Sequence, residues 1–419
     1  MMSNNPLEDV QKQIKNACDK LELDESVYEL LKEPQRAIDI SIPVKMDDGS
    51  VKTFKGYRSL HNDAAGPAKG GIRFDPELEF NKIKAMSTWM TFKCLIVGIP
   101  FGGGKGGIAV DRDELSEDEL QRLARGYVRR MHKYLGEKID VGAPDMDTDP
   151  HIMAWMFDEY VQLSGEHELG MLTGKPTKLG GSLGRTEATG LGVVITAREA
   201  AKKLDMDLDG AKVAIQGFGE VGEFTFKHIE KQGAKVVALG EYDDDEGEFA
   251  IYSEDGLDYE EIKEYIDENG SAYGYSDADE ISLEDFWALD VDIIIPAALA
   301  NAITEDEAKN IKAKLICEGA NGPVASEAYD ILEDNGVTVT PDVLTNSGGV
   351  TVSYYEWVQN LYGHHWEKDT VLERMEDTMV SAFEDVWKVK EEYDTTMKEA
   401  TMLLAVRNAA EAMKIKGWY

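Results

Sequence analysis

Three lysines of this chain fall in glycine-rich or apolar surroundings. Lys69 lies in Gly66-Pro67-Ala68-Lys69-Gly70-Gly71-Ile72-Arg73-Phe74, Lys93 in Met90-Thr91-Phe92-Lys93-Cys94, and Lys105 in Pro100-Phe101-Gly102-Gly103-Gly104-Lys105-Gly106-Gly107. Any one of them alone reads as a solvated surface cation; together, in an acid-rich chain, they read as a site. Glycines around Lys105 would let a substrate approach its backbone, and nearby cations and removal from water would lower its pKa toward that of a usable base. A nucleotide P-loop is excluded by spacing, because Ile99 stands where its leading glycine belongs and Gly106 where its Ser or Thr belongs. Further on, Val141-Gly142-Ala143-Pro144-Asp145-Met146-Asp147-Thr148 reads as a strand ending in a carboxylate-bearing loop. Beside the lysines, Asp145 offers the proton shuttle that chemistry at an amine requires.

A second group of residues speaks for a dinucleotide. Val213-Ala214-Ile215-Gln216 runs into Gly217-Phe218-Gly219-Glu220-Val221-Gly222 and then a helical stretch, and Glu241 follows Gly222 by 19 residues, after another strand. A lone GxGxxG is weak evidence, but the strand before it, the helix after it and the later acid are the required context. The glycines permit a tight turn and close approach of a pyrophosphate to a helix N-terminus. Glu241 would accept from the adenosine ribose hydroxyls. The acidic run Tyr242-Asp243-Asp244-Asp245-Glu246 reads as a solvated loop that would also repel a 2′-phosphate.

The elements that must position these groups divide the chain. Asn5 caps a helix with Pro6 in its first turn; Ile38, Ile40, Ile42, Val44 and Met46 alternate as a strand, with a turn at 47–49 and a second strand near 51–57. Pro43 assigns the first of these to a sheet edge or bulge. Long helices are expected from Asp75 to about Val97 and from Ser116, with Glu119 closing a capping box. From Thr186 helices alternate with strands at 212–216, 235–239, 291–295, 314–317 and 337–340, the βαβ pattern of a mostly parallel sheet. After Gly349 the chain is helical, with amphipathic segments near 368–390 and 395–416. The expected domains are 1–185, 186–348 and a C-terminal return, 349–419, to the first.

Composition limits the classes of function. The 419 residues carry 81 acidic and 44 basic side chains, a net charge of -37. That balance excludes a nucleic-acid partner, which needs a basic footprint. Self-repulsion of this size is best tolerated where salt screens it, so a halophilic setting is expected. No apolar run is long enough to span a bilayer, and the N-terminal segment has no secretory pattern. Cys18, Cys94 and Cys317 are too scattered for a metal site and read as buried apolar residues, in keeping with a reducing cytoplasm.

Gly66–Phe74, Met90–Cys94, Pro100–Gly107, Ala143–Thr148, Gly217–Gly222 and Asn346–Trp357, in this order and spacing, resemble the glutamate dehydrogenase family over nearly the whole chain. The resemblance implies an α/β fold of two domains separated by a cleft: a substrate and assembly domain with a mixed sheet, built from both chain ends, and a Rossmann-like coenzyme domain. It implies a homohexamer that interconverts L-glutamate with 2-oxoglutarate and ammonium, using NAD or NADP and no metal. Carried over by motif, Lys69 and Ser353 would bind the substrate γ-carboxylate and Lys93 the α-carboxylate. Lys105 would activate water and Asp145 would relay protons. Thr189 and Asn321 would meet the nicotinamide end, with Asn301 nearby.

Two departures from the family pattern bear on the coenzyme: Glu220 replaces a more usual polar residue, and Leu239-Gly240-Glu241 replaces an aspartate following serine. The acid at 241 favours NAD. Two other readings stand beside this one. A branched-chain or aromatic amino-acid dehydrogenase shares the fold and catalytic pair but has apolar residues where Lys69 and Ser353 stand. A non-catalytic regulatory subunit of a mixed hexamer would be expected to lack at least one of the polar site residues, and all are present.

Overall fold

The structure is a computed structural model and describes residues 5–419. The chain forms two compact units. One comprises the described residues up to Arg185 with Val350–Val371 and Met402–Tyr419; the other comprises Thr186–Gly349 and Leu372–Thr401.

The first unit is built on five strands, β1 (Arg36–Lys45), β2 (Val51–Leu60), β3 (Ala68–Phe74), β4 (Gly102–Ala109) and β5 (Asp140–Pro144), in the order β1-β2-β4-β3-β5. The β1/β2 and β2/β4 pairs are antiparallel, and β4/β3 and β3/β5 are parallel. The mixed sheet is the expected one, and β1, with Pro43, is its edge. The glycine-rich strands β3 and β4 are not anticipated by the sequence reading, which finds no alternation there. They lie at the middle of the sheet because their glycines admit neighbours that a side chain would exclude. A Cβ on Gly103 would lie 2.2 Å from Ser87 O and from Thr91 Oγ1, so the helix Phe80–Ile96 packs directly on that strand. On the opposite face, Ile72, Phe74 and Ile108 join Leu123, Tyr127, Met153 and Met156 of the helices Glu117–Met131 and Pro150–Ser164 in one core. Burial of each such large apolar side chain is worth about 1.5–3 kcal/mol. The capping box of Ser116 and Glu119 is formed on both sides.

The second unit carries β6 (Lys212–Gln216), β7 (Lys235–Asp243), β8 (Gly247–Tyr252), β9 (Asp279–Ile281), β10 (Ile293–Pro296), β11 (Leu315–Cys317) and β12 (Thr338–Thr340), ordered β12-β11-β10-β6-β7-β8-β9. The strands from β12 to β7 are parallel, as the βαβ pattern requires; β8 and β9 add antiparallel partners. These two strands are missed by the sequence reading because the acidic run before β8 looks like a solvated loop. It is a hairpin turn in which Asp243 Oδ1 accepts from the N–H groups of Asp245 and Glu246.

Three helices end the chain: Gly348–Tyr362, Lys368–Tyr393 and Met397–Ile415. The sequence reading sends all of 349–419 to the first unit, whereas residues 372–401 belong to the second. There Arg198 pairs with Glu376 at 2.7 Å and Lys203 with Glu384 at 2.8 Å, while Met375, Met379, Phe383 and Val386 are fully buried. An amphipathic pattern shows that a helix has an apolar stripe, not which unit covers it. All three cysteines are buried and free. Among the described residues no helix is long and apolar enough to cross a membrane.

Candidate active site

Strand parity assembles the substrate-side residues. Lys69, Gly71 and Arg73 alternate along β3 and so share one face. Lys69 stands level with Gly103 on β4 and Val141 on β5, and Gly71 with Ala143 on β5. Continuing these registers brings Lys105 beside Gly71 and Asp145 beside Arg73, on the face that the helix Phe80–Ile96, with Lys93, partly covers. The Lys105 ammonium bonds Asp145 Oδ2, and Arg73 Nη2 donates to Asp145 Oδ1 at 3.0 Å. Burial lowers the Lys105 pKa and Arg73 and Arg58 lower it further, with Asp145 opposing. For Asp145 burial alone acts upward, but Lys105, Arg73 and the Met146 N–H hold its carboxyl down at about 2. The result is an ion pair in a water-poor site, able to pass a proton between lysine and carboxylate.

Lys69 is 1% exposed, and its Nζ donates to Gly142 O at 3.3 Å. Burial drives its pKa down to about 7, with Cys94 and Glu356 opposing. Lys93 is half-buried and adjoins Cys94, whose thiol feels the charge of both lysines. Ser353 is buried in the helix Gly348–Tyr362, which packs Tyr354 and Trp357 on Phe101 at the start of β4 and carries the Glu356 felt by Lys69. That helix is anchored by the fully buried pair Lys175–Glu356 at 2.8 Å, with Gly174 N–H donating to the same carboxylate.

Two features were missed or misread from the sequence. The glycines around Lys105 do not clear room for a substrate. A Cβ on Gly104 would meet Asp140 Oδ1 at 2.7 Å, and one on Gly106 would meet Tyr127 Oη at 2.4 Å, so protein atoms fill that space. The other is the scaffold beneath. Arg58 grips Asp140 through Nε at 2.9 Å and Nη2 at 2.5 Å, and Nη1 donates to the carbonyls of Gly70 and Gly71, all buried. This fork ties β2, β3 and β5 together at the level of Gly70 and Gly71. Its partners are 82 residues apart, and neither sits in a recognisable motif.

In the second unit the glycine motif follows β6 at the point where the chain leaves first for β7 on one side and later for β10 on the other, the switch point of a doubly wound sheet. Gly217 has φ +94°, which a tight turn requires. A Cβ on Gly222 would lie 1.9 Å from Gly217 O, whereas Gly219 faces open space with no atom within 4 Å. Gly219 begins the helix Glu220–Glu230 without any side-chain cap on its N–H groups. A pyrophosphate fits this vacancy and these donors. Val221 borders the loop after β11, its Cγ1 lying 3.4 Å from where a Gly319 Cβ would be, and Phe218 stacks edge-on against Phe226.

Gly217 N–H donates to Gly240 O at 2.7 Å, which sets Glu241 beside the turn; Glu241 Oε2 accepts from Ala272 N–H at 2.9 Å, and burial raises its pKa. Asn301, exposed and at φ +55°, donates its N–H to Gly322 O at 2.9 Å, next to Asn321, whose Oδ1 accepts from Asn346 at 3.0 Å. The loops after β10 and β11 thus present both asparagines together. Gln216 and Asn301 line a cavity of about 540 Å³ with Leu283 and Trp287. Thr189 precedes Gly190, where the helix Ala188–Lys203 touches Phe224 and Thr225 of the helix after the glycine turn.

A parallel sheet with this glycine turn, in one chain with a buried lysine–aspartate pair among further cations, defines a dinucleotide-dependent oxidoreductase acting on an amino acid. The chain belongs to the Glutamate/Leucine/Phenylalanine/Valine dehydrogenase family, which residues 180–417 match, while residues 34–162 match the family's dimerisation domain. It is 57% identical over 415 residues to the NAD-specific glutamate dehydrogenase of Clostridioides difficile, and 53% identical over 416 residues to that of Peptoniphilus asaccharolyticus, covering 99% of each chain. The crystal structure of glutamate dehydrogenase from Peptoniphilus asaccharolyticus superposes with a TM-score of 0.91, covering 99% of this chain and all of the other, at 51% identity. A hetero-hexameric glutamate dehydrogenase from Thermus thermophilus, in a leucine-bound form, superposes with a TM-score of 0.92 over 100% of this chain and 99% of that one, at 34% identity.

Proposed function

We propose that this chain catalyses the reversible oxidative deamination of L-glutamate to 2-oxoglutarate and ammonium with NAD as coenzyme, as a homohexamer in the cytoplasm. The observation that carries the substrate is Lys69. A buried lysine without a carboxylate partner is costly, and its hydrogen bond goes to a backbone carbonyl. A substrate γ-carboxylate, held by Lys69 and Ser353, supplies the missing charge; leucine or valine would leave it unmatched. Relatives named NAD-specific glutamate dehydrogenase, at 57% and 53% identity, support the same substrate and coenzyme. The three free, buried thiols support a reducing compartment.

Lys93 holds the α-carboxylate. When bound, the nicotinamide ring accepts the hydride from the substrate α-carbon. Asp145 takes a proton from the α-ammonium before that transfer, which leaves an iminium at the α-carbon. Lys105, its pKa lowered by burial, activates the water that adds to this carbon. The carbinolamine then expels ammonia, with the Lys105–Asp145 pair returning the proton. Thr189, Asn301 and Asn321 would hold the nicotinamide end, Gly217, Phe218, Gly219, Glu220, Val221 and Gly222 the pyrophosphate, and Glu241 the ribose hydroxyls.

The deciding experiment is a coupled assay with L-glutamate and L-leucine, each with NAD and NADP, together with sedimentation equilibrium. Turnover of glutamate with NAD by a hexamer is expected. A preference for leucine would reject the role given to Lys69. No turnover at all would make the chain a regulatory subunit.

A further inference from the structure

Arg73 belongs to none of the roles above, yet it touches the catalytic carboxylate. Its guanidinium donates to Asp145 Oδ1 at 3.0 Å from the side opposite Lys105 and lies 3.7 Å from Asp75 Oδ2. Asp75 in turn accepts from Lys82 Nζ at 2.8 Å and, through Oδ1, from the Glu77 N–H at 2.9 Å. A line of alternating charge, Lys82, Asp75, Arg73, Asp145 and Lys105, therefore runs from a half-exposed lysine to a buried one. The sheet makes room for it: a Cβ on Gly107 would lie 3.0 Å from Arg73 Cγ. Arg73 also keeps its buried Nε–H without a hydrogen-bond partner.

We propose that Arg73, steadied by Asp75, is a positioning residue that fixes one oxygen of Asp145 and so presents the other to Lys105 and the substrate nitrogen. The proposal rests on the assignment of Lys105 and Asp145 to proton transfer. Its chemistry follows from the fork of a guanidinium, which can hold two carboxylates at fixed angles where an ammonium holds a single point. The charges that act on Lys105 are Asp145 from the loop after β5, Arg73 from β3 and, from beneath the sheet, Arg58 of β2. Removing Arg73 takes away one of the two like charges that ease Lys105 toward its neutral form, and it leaves Asp145 Oδ1 held by the Met146 N–H alone, at 2.7 Å.

The test compares Arg73→Met, Arg73→Lys and Asp75→Asn, with kcat and glutamate KM measured across pH and coenzyme binding followed by NADH fluorescence. In Arg73→Met, kcat falls by about 100-fold, the scale of a misplaced reacting group. The pH limb that requires neutral Lys105 moves to higher pH, while glutamate KM and NADH binding stay native. Arg73→Lys restores the position of that limb, because the charge is kept, but not kcat, because the fork is lost. Asp75→Asn lowers kcat less, with the limb unmoved. An equal fall at every pH with no displaced limb, or native kcat in Arg73→Met, overturns the proposal. If Arg73→Met does not fold, the other two decide: reduced kcat at native KM supports the proposal and native kcat in both overturns it. A native enzyme without glutamate turnover would instead count against the proposed function itself.

Discussion

Lys105 and Asp145 meet across a strand to which neither belongs. Lys105 comes from β4 and Asp145 from the loop after β5, forty residues later, and β3 runs between them. The residue of β3 level with Lys105 is Gly71. A Cβ there would lie 2.5 Å from Asp145 Oδ2 and 2.7 Å from Asp145 Cβ, so the carboxylate occupies the volume a side chain would take. The missing side chain is thus what lets the ion pair form over the sheet.

Gly71→Ala tests this. Its φ lies outside the left-handed region, so alanine brings no backbone strain, only the methyl group. We expect Asp145 to be pushed off Lys105 and kcat to fall by about 100-fold, with NADH binding unchanged. Native kcat in this variant would show that the pair tolerates displacement and is not the reacting unit.

Lys105→Ala and Asp145→Asn remove the pair chemically. Each should lower kcat by roughly 100-fold or more, the usual scale for a lost acid–base group, and leave the affinity for NADH intact. Near-native turnover in either variant would cancel the role given to that residue.

The Lys69 pKa of about 7 predicts a pH-dependent substrate site. A bound dicarboxylate favours the charged lysine, so the bound state has the higher pKa and binding takes up a proton. Affinity for an unreactive dicarboxylate such as glutarate should therefore be full below pH 7 and decline as pH rises above it. Titration calorimetry in two buffers of different ionisation enthalpy measures both effects. A flat affinity from pH 6 to 9 with no proton uptake would place the γ-carboxylate elsewhere.

For the coenzyme, kcat/KM should favour NAD over NADP, and Glu241→Ser should narrow the ratio. A carboxylate at this position would accept hydrogen bonds from two free hydroxyls and repel a 2′-phosphate. Ala272 already occupies Oε2, so one oxygen remains for the ribose. A ratio unchanged in the variant would show that discrimination lies outside residue 241.

The net charge of -37 predicts that assembly strengthens as salt rises toward molar, because screening relieves repulsion between like-charged surfaces. Sedimentation and activity across that range check it. An intact, fully active oligomer in dilute buffer would remove any need for a saline setting.

How far the sequence could be read followed from the range of the interactions involved. The turn at Gly217, the capping box at Ser116 and the parallel strands from β6 onward were legible because each is decided by residues within one or two elements. The glycine-rich strands β3 and β4 were not, since a strand is recognised by alternating side chains and these have few. Arg58 and Asp140 gave no local sign, being an ordinary arginine and aspartate until the sheet brings them to 2.9 Å. Arg73 stood in plain view beside Lys69, but its partners Asp145 and Asp75 are chosen by register. By itself the sequence determined which chemical groups are available, amine, carboxylate and phosphate-binding turn, because these depend on residue type and short spacing. The tertiary structure alone decided which of them touch, which lysine is stripped of water, and that the glycines hold neighbouring protein atoms, because burial and strand register are properties of the whole sheet.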